Sequence, residues 1–530
     1  MSNKSFFRGA LVLSLAGLFV KVIGALYKIP LARLIGDEGM GLYQMAYPVY
    51  GILLTLSTAG VPVAISILVA EKQAENDYYG SRRIFRLSAA MLGAFGLFFS
   101  LVLVLSAAWL AHHVFQDARV YSALLAVSPA ILLTSVSSSF RGYFQGNQTM
   151  VPTALSQIIE QIVRVATVLL LAYLLLPHGL EWAAAGATFG AVTGGMASVA
   201  ILLFYYRRHK KNHRDKWQPV QPQEPVAHLL KRIITLALPV SVGGLVVPIM
   251  QVIDAAIIPM RLQVAGHSPK MATGLYGQFS GMANPLINIA PIITISISLA
   301  LVPIIAEAMA KNDRREVSRR VNQALWSTFL IGMPAAAGLG VLATPICDML
   351  YAKPEVGPLV AVLTPSTLLL GLYQTTRGTL QGMGKTHLPV INLTVGVIIK
   401  GTLNYLLVAV PFLSIQGAGI ATVTGFSVSV ALNWYFVRKY TGFSLDWRKT
   451  ISLPLVCTVF MAVMTRLAYL LVSSHAGNTA GVLVAICTGI ITYGFAILAT
   501  GGVKAADLKF IPGIGPKLAR LLEQCKFIKQ

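Results

Sequence analysis

Apolar residues run in stretches of about 20 or more, separated by short polar connections, along almost the whole chain. Such runs are readable at roughly 9–29, 42–70, 84–111, 121–140, 151–176, 182–206, 233–260, 274–310, 321–349, 358–380, 388–411, 416–437, 450–472 and 479–502, each long enough to cross a bilayer as a helix. The pattern predicts an all-α integral membrane protein of about fourteen transmembrane helices. Two runs, 42–70 and 274–310, exceed one crossing and predict tilt, kinks or projection beyond the bilayer. Proline is frequent inside the runs; Pro239, Pro248 and Pro259 predict three breaks in the seventh, and Pro285, Pro291 and Pro303 three in the eighth.

The runs fall into two copies of one unit. Arg141-Gly142-Tyr143-Phe144-Gln145-Gly146 returns as Arg377-Gly378-Thr379-Leu380-Gln381-Gly382, a displacement of 236. Ile29-Pro30 returns as Ile258-Pro259 (229), Gly41-Leu42-Tyr43 as Gly274-Leu275-Tyr276 (233), and Ser81-Arg82-Arg83 as Ser318-Arg319-Arg320 (237). Each copy holds six helices, an even number, so the repeats are parallel. The expected domains are a lobe at 1–206, a basic and then Pro/Gln-rich linker at 207–232, a second lobe at 233–438, two further helices at 439–502 and a tail at 503–530.

Composition agrees: 55% of the 530 residues are hydrophobic, 12% are charged and the mean hydropathy is +0.70. Lys and Arg crowd into alternate connections, from Lys72, Arg82 and Arg83 through Lys210 and Lys211, Arg314 and Arg319 to Arg438 and Lys449, while the opposite loops hold little beyond Arg33, Arg119, Arg261, Lys270 and Lys353. By the positive-inside rule both termini lie in the cytoplasm of a cell-membrane protein. The net charge of +23 is then mainly a topology signal, with attraction to anionic membrane lipids as a by-product and no nucleic-acid partner expected. The first apolar run reads as a retained anchor rather than a cleaved signal. Cys347, Cys457, Cys487 and Cys525 lack any paired spacing, so neither a disulfide framework nor a metal site is expected.

No phosphate-binding Gly-rich loop, helical His pair or nucleophile elbow is present, and the outer loops are short, which argues against an enzyme and against a cofactor. The remaining signals are ionisable groups at membrane depth. Lys21 and Lys28 lie seven residues apart on the first run and predict a cationic stripe on one helix face. Gln157, Glu160, Gln161 and Arg164 form a polar stripe in the fifth, with Glu160 and Arg164 spaced as an ion pair. The repeat displacement carries Arg164 onto Lys400, so a cation recurs at matching depth while the acid does not. Asp254, without a sequence-local partner, reads as a proton or cation site or as a counter-ion to Lys21. Gln251, Asn284, Asn288, Asn392 and Asn404 supply polar lining or interhelical hydrogen bonds. In the tail, Gly513-Ile514-Gly515 before a helical pattern reads as a phosphate-contacting hairpin or a membrane-proximal cap.

Leu34-Ile35-Gly36-Asp37-Glu38-Gly39-Met40-Gly41-Leu42-Tyr43-Gln44, the segment 60–66 and Arg141-Gly142-Tyr143-Phe144-Gln145-Gly146 resemble the multidrug/oligosaccharidyl-lipid/polysaccharide exporter superfamily, in particular its stage V sporulation protein B and MurJ-type lipid II flippase branch. The resemblance covers about 5–500 and implies two MATE-like lobes plus a two-helix appendix. It also implies an alternating-access flippase for an undecaprenyl-diphosphate-linked peptidoglycan or other glycan precursor, in cell-wall biogenesis or sporulation. A cation at Lys21 matches that branch. The chain departs from the best-known flippases in having no Lys or Arg in 42–70 or 274–306. The expected cavity residues are Lys21, Lys28, Arg164, Lys400, Gln251 and Asn284, with Asp254 and Glu160 coupling transport to a monovalent cation or proton. A cation-coupled multidrug exporter of the same fold is the alternative; an enzyme of glycan assembly is a third.

Overall fold

The computed structural model describes residues 3–58, 60–212, 224–443 and 445–501. The Pro/Gln-rich part of the linker and the Gly513-Ile514-Gly515 motif lie outside them. The described residues are all helical apart from short turns. Eleven helical runs are long and apolar enough to cross a membrane, and a bent pair, Pro354–Leu363 with Pro365–Gly382, makes one more. Two of the eleven, Val12–Ala74 and Arg448–Ala499, hold 63 and 52 residues. At 1.5 Å per residue each would be about twice as long as a bilayer is thick. Both break at a glycine of positive φ, Gly36 (φ 68°) and Gly477 (φ 80°). Counting each as two crossings gives the fourteen that the sequence predicts.

The chain folds as two compact units, one of Met1–Met282 with Asn404–Ile415, the other of Ala283–Leu403 with Gln416–Gln530. The repeat is visible inside each. In the first, helix Pro129–Gly146 crosses helix Val61–Ala74; a Cβ on Gly142 would stand 2.7 Å from the Pro62 carbonyl oxygen, and one on Gly146 2.8 Å from that of Ser66. In the second, helix Pro365–Gly382 crosses Pro291–Ala310; a Cβ on Gly378 would stand 2.7 Å from Ser298 O and one on Gly382 2.8 Å from Val302 O. Every partner is displaced by 236. The repeated Arg-Gly-x-x-Gln-Gly motif therefore exists because its two glycines let helix backbones touch, the means by which helices associate where lipid offers no hydrophobic drive.

Turn residues keep the same register. Asn76 and Asn312 (φ 59° and 54°), Gln116 and Ala352 (52° and 55°), and Gln148 and Gly384 (55° and 74°) are left-handed pairs 236 apart. Asp77 and Asp313 each cap the next helix, accepting from the backbone N–H of Gly80 and Glu316. These caps place Ser81 opposite Val317, so the matching of Ser81-Arg82-Arg83 to Ser318-Arg319-Arg320 is one residue out of structural register.

The long runs bend where expected. The second pauses between Thr58 and Val61 at Gly60 (φ 67°), and the eighth is divided into Pro269–Gly277, a π-helical turn, Asn284–Ile287 and Pro291–Ala310. The three breaks expected in the seventh do not occur: Val226–Val264 is one helix through Pro239, Pro248 and Pro259. A proline's φ is helical, so inside a packed span it removes one hydrogen bond without ending the helix.

Candidate functional site

Three charges at membrane depth meet in the first unit. Glu160 and Arg164 lie one turn apart on helix Met150–Leu175, and Arg164 Nη2 donates to Glu160 Oε1 at 2.6 Å. The other oxygen of Glu160 is taken by Arg141, from helix Pro129–Gly146, whose Nη2 donates at 2.6 Å. Arg141 also donates to Ser156 Oγ (3.2 Å) and, from helix Leu180–Asn212, to Ser198 Oγ (2.9 Å). One guanidinium thus ties three helices. These helices approach because Gly194 has no side chain: a Cβ there would lie 2.8 Å from Glu160 O and 3.0 Å from Arg164 Cβ.

Two guanidiniums share one carboxylate, so the cluster carries a surplus positive charge. Arg141 is hydrogen-bonded on several sides, whereas the Nε–H of Arg164 is buried without an acceptor among the described residues. The hydroxyl-bearing side chains of Tyr27, Tyr47 and Tyr50 lie near Arg164. Such an arrangement can receive an anion: a desolvated cation with a spare donor, flanked by hydroxyl groups.

The second unit repeats the scaffold without the acid. Gly425 faces Gly396 O and Lys400 Cβ, a Cβ on it standing 2.8 Å from each, as Gly194 faces Glu160 and Arg164. Lys400 is 4% exposed, while Gly396 stands where Glu160 stands in the first copy. A chain of amides, Asn392 to Asn433 (2.8 Å) and Asn433 to Thr376 (3.3 Å), spans the place of the Arg141 brace, and Arg377 is exposed.

Asp254 on Val226–Val264 is 7% exposed and accepts from Asn404 Nδ2 at 2.8 Å, while Asn404 Oδ1 has no hydrogen-bond partner among the described residues. Lys21 is exposed and Lys28 half-buried. They lie on one continuous helical path: Pro30 has no N–H to donate back to Leu26, but Tyr27 N–H still donates to Ile23 O (3.0 Å) and Leu31 N–H to Tyr27 O (3.2 Å). Gln251 is exposed and Asn284 half-buried.

Sequence reasoning missed a polar network in the first unit, where helix Lys28–Thr58 meets Pro269–Gly277. Arg119 clasps Asp117 through two bonds (2.9 and 2.7 Å) and also pairs with Glu38. Thr273 Oγ1 donates to Asp117 (2.9 Å), Gln278 Nε2 to Asp37 (2.9 Å) and Gln44 Nε2 to Ser280 O (2.7 Å). Burial alone would push the Asp117 carboxyl up, but hydrogen bonds from Arg119 and Thr273, with the charge of Arg119, hold it below the ordinary value of 3.8.

A family described as polysaccharide biosynthesis protein matches residues 6–309, and the MatE family matches 280–406. The chain is 30% identical over 523 residues to stage V sporulation protein B of Bacillus subtilis (strain 168), covering 98% of this chain and 100% of that protein. It is 27% identical over 487 residues to the lipid II flippase MurJ of the same organism, covering 88% and 89%. In three dimensions it is similar to a lipid II flippase MurJ in an inward closed conformation, with a TM-score of 0.67 at 15% identity over 92% of this chain and 98% of that one. This last likeness is one of fold.

Proposed function

As the chain belongs to the polysaccharide biosynthesis protein family, we propose that it is an alternating-access flippase moving an undecaprenyl-diphosphate-linked envelope precursor, lipid II or a related glycan, from the inner to the outer leaflet. Its relatives include a lipid II flippase, and the chain is a multi-pass membrane transporter rather than a catalyst. The observation that carries the substrate class is the surplus cation at Arg164, desolvated and with a donor to spare. A diphosphate is the part of such a lipid that needs it. Lys400, at the equivalent position of the second copy, supports the same reading. Lys21 and Lys28 are proposed as further cations on the substrate's route, with Gln251 and Asn284 as polar lining.

Both oxygens of Glu160 are held by guanidiniums, so the coupling role falls to Asp254, whose neighbour Asn404 offers an unused acceptor. A proton or monovalent cation is the proposed coupling ion. A drug exporter of this fold would be expected to gather surplus carboxylates; the Glu160 cluster has the opposite balance. Both termini are proposed to be cytoplasmic in the plasma membrane. Depletion in the source cell, with mass spectrometry of lipid-linked intermediates, tests the substrate class: a polyprenyl-diphosphate glycan should accumulate in the inner leaflet, and an unchanged lipid-linked pool would contradict the proposal.

A further inference from the structure

We propose that the second unit binds the phosphate of an anionic phospholipid headgroup in a cavity of about 170 Å³ lined by Met309, Arg314, Val317, Met383, Lys385 and Tyr440. The duplication supplies an internal control. In the register fixed by the Asn76/Asn312 turns and the Asp77/Asp313 caps, Gln73, Ser81 and Asn147 of the first unit correspond to Met309, Val317 and Met383. In the first unit these three residues form a polar bolt, Gln73 Nε2 donating to Asn147 Oδ1 at 2.7 Å and to Ser81 Oγ at 3.4 Å. In the second all three are apolar, and a cavity lies where the bolt would be.

The rim has changed in the opposite sense. Tyr78 and Thr149 of the first copy are replaced by Arg314 and Lys385, so two cations stand over an apolar floor. Lys385 Nζ sits 5.5 Å from the centre of the Tyr440 ring, which steadies it while leaving its N–H donors available. Nearby carboxylates are engaged elsewhere: Asp313 caps Glu316 N–H, Glu307 binds Lys311, and Glu316 binds both Arg319 and Arg320. Among the described residues neither Arg314 nor Lys385 has a carboxylate within 4.0 Å. A ligand that uses both halves of the site must carry a negative group and an apolar stem. Soluble phosphate would gain nothing from Met309, Val317 and Met383, whereas a phospholipid satisfies both halves. Met309 and Tyr440 are large side chains exposed at 40% and 38%, as a site opening on the bilayer interface requires. With the proposed topology this is the cytoplasmic leaflet.

Native mass spectrometry of the detergent-purified full chain, titrated with phosphatidylglycerol or phosphatidylcholine, tests the site. The wild type should retain phosphatidylglycerol at about tenfold lower lipid concentration. R314Q/K385Q should lose that preference, and R448Q/K449Q, with the same loss of charge at the same end, should keep it. Grafting the bolt, as M309Q/V317S/M383N, should abolish the preference with the charge unchanged. Equal loss in both charge variants would mean general attraction and overturn the site. Displacement of the lipid by millimolar inorganic phosphate would assign the site to a soluble anion and overturn the lipid.

Discussion

Arg141 and Glu160, on different helices, are joined by a 2.6 Å hydrogen-bonded ion pair, and this pair organises the charge of the first unit. It leaves Arg164 with half of a shared carboxylate and an unused Nε–H. The side chains of all three are less than a fifth exposed, so the pairing is made away from bulk solvent.

Removing the acid should therefore harm the fold more than removing a base. Glu160→Gln leaves two guanidiniums facing each other and should cost about 3–5 kcal/mol, the usual cost of orphaning a buried charge. Arg141→Gln/Glu160→Gln should recover much of that in a double-mutant cycle. Thermal unfolding in detergent is the measurement; additive losses would show that the two residues act independently.

The motif glycines give a prediction of opposite sign for the same chemical change. Gly93→Ala, where nothing lies within 4 Å of the new Cβ, should be neutral or slightly stabilising, since Ala is the better helix former. Gly146→Ala and Gly382→Ala, facing the backbone oxygens of Ser66 and Val302 at 2.8 Å, should each destabilise by about 1–3 kcal/mol. Equal effects at all three positions would contradict the close helix crossings.

The Asp117 network sets a pH dependence. A carboxyl held below its ordinary 3.8 contributes stability that is complete above about pH 4 and is lost as the pH falls through the lower native value. From pH 8 to pH 5 this network should not change. Asp117→Asn should lower stability at pH 7 by about 1–3 kcal/mol, and the gap from wild type should narrow as the pH falls below about 4. A gap of constant size would contradict the assignment.

Orientation is testable by cysteine scanning in a chain with its native cysteines replaced. An impermeant thiol reagent applied to intact cells should label cysteines at 270 and 353 and not at 211. Strong outside labelling at 211 would reverse the proposed topology.

Much of the architecture was legible in the sequence because the bilayer imposes one length on every span, and because Gly142, Gly146, Gly378 and Gly382 are fixed by the close approach of helix backbones. The Glu160–Arg164 pair was legible because helical spacing alone brings those residues together. Arg141 marked the repeat, yet its partner was hidden: the bond to Glu160 depends on how two helices cross, which no local spacing encodes. Asp254 showed as an intramembrane acid, but Asn404, 150 positions away, could be read only as generic polar lining. The Asp117–Arg119–Thr273 network joins a short turn to a distant helix and left no periodic trace.

The central claim is that the cation at Arg164 carries a polyprenyl diphosphate across the membrane. Its most direct test is a reconstituted assay in which a labelled undecaprenyl-diphosphate sugar is placed in one leaflet of proteoliposomes and its arrival in the other is followed by an impermeant enzyme. Wild type should move the lipid, Arg164→Lys should retain part of the rate, and Arg164→Ala, matched for folded protein, should fall by at least about tenfold. Full transport by the folded Arg164→Ala protein would contradict the account.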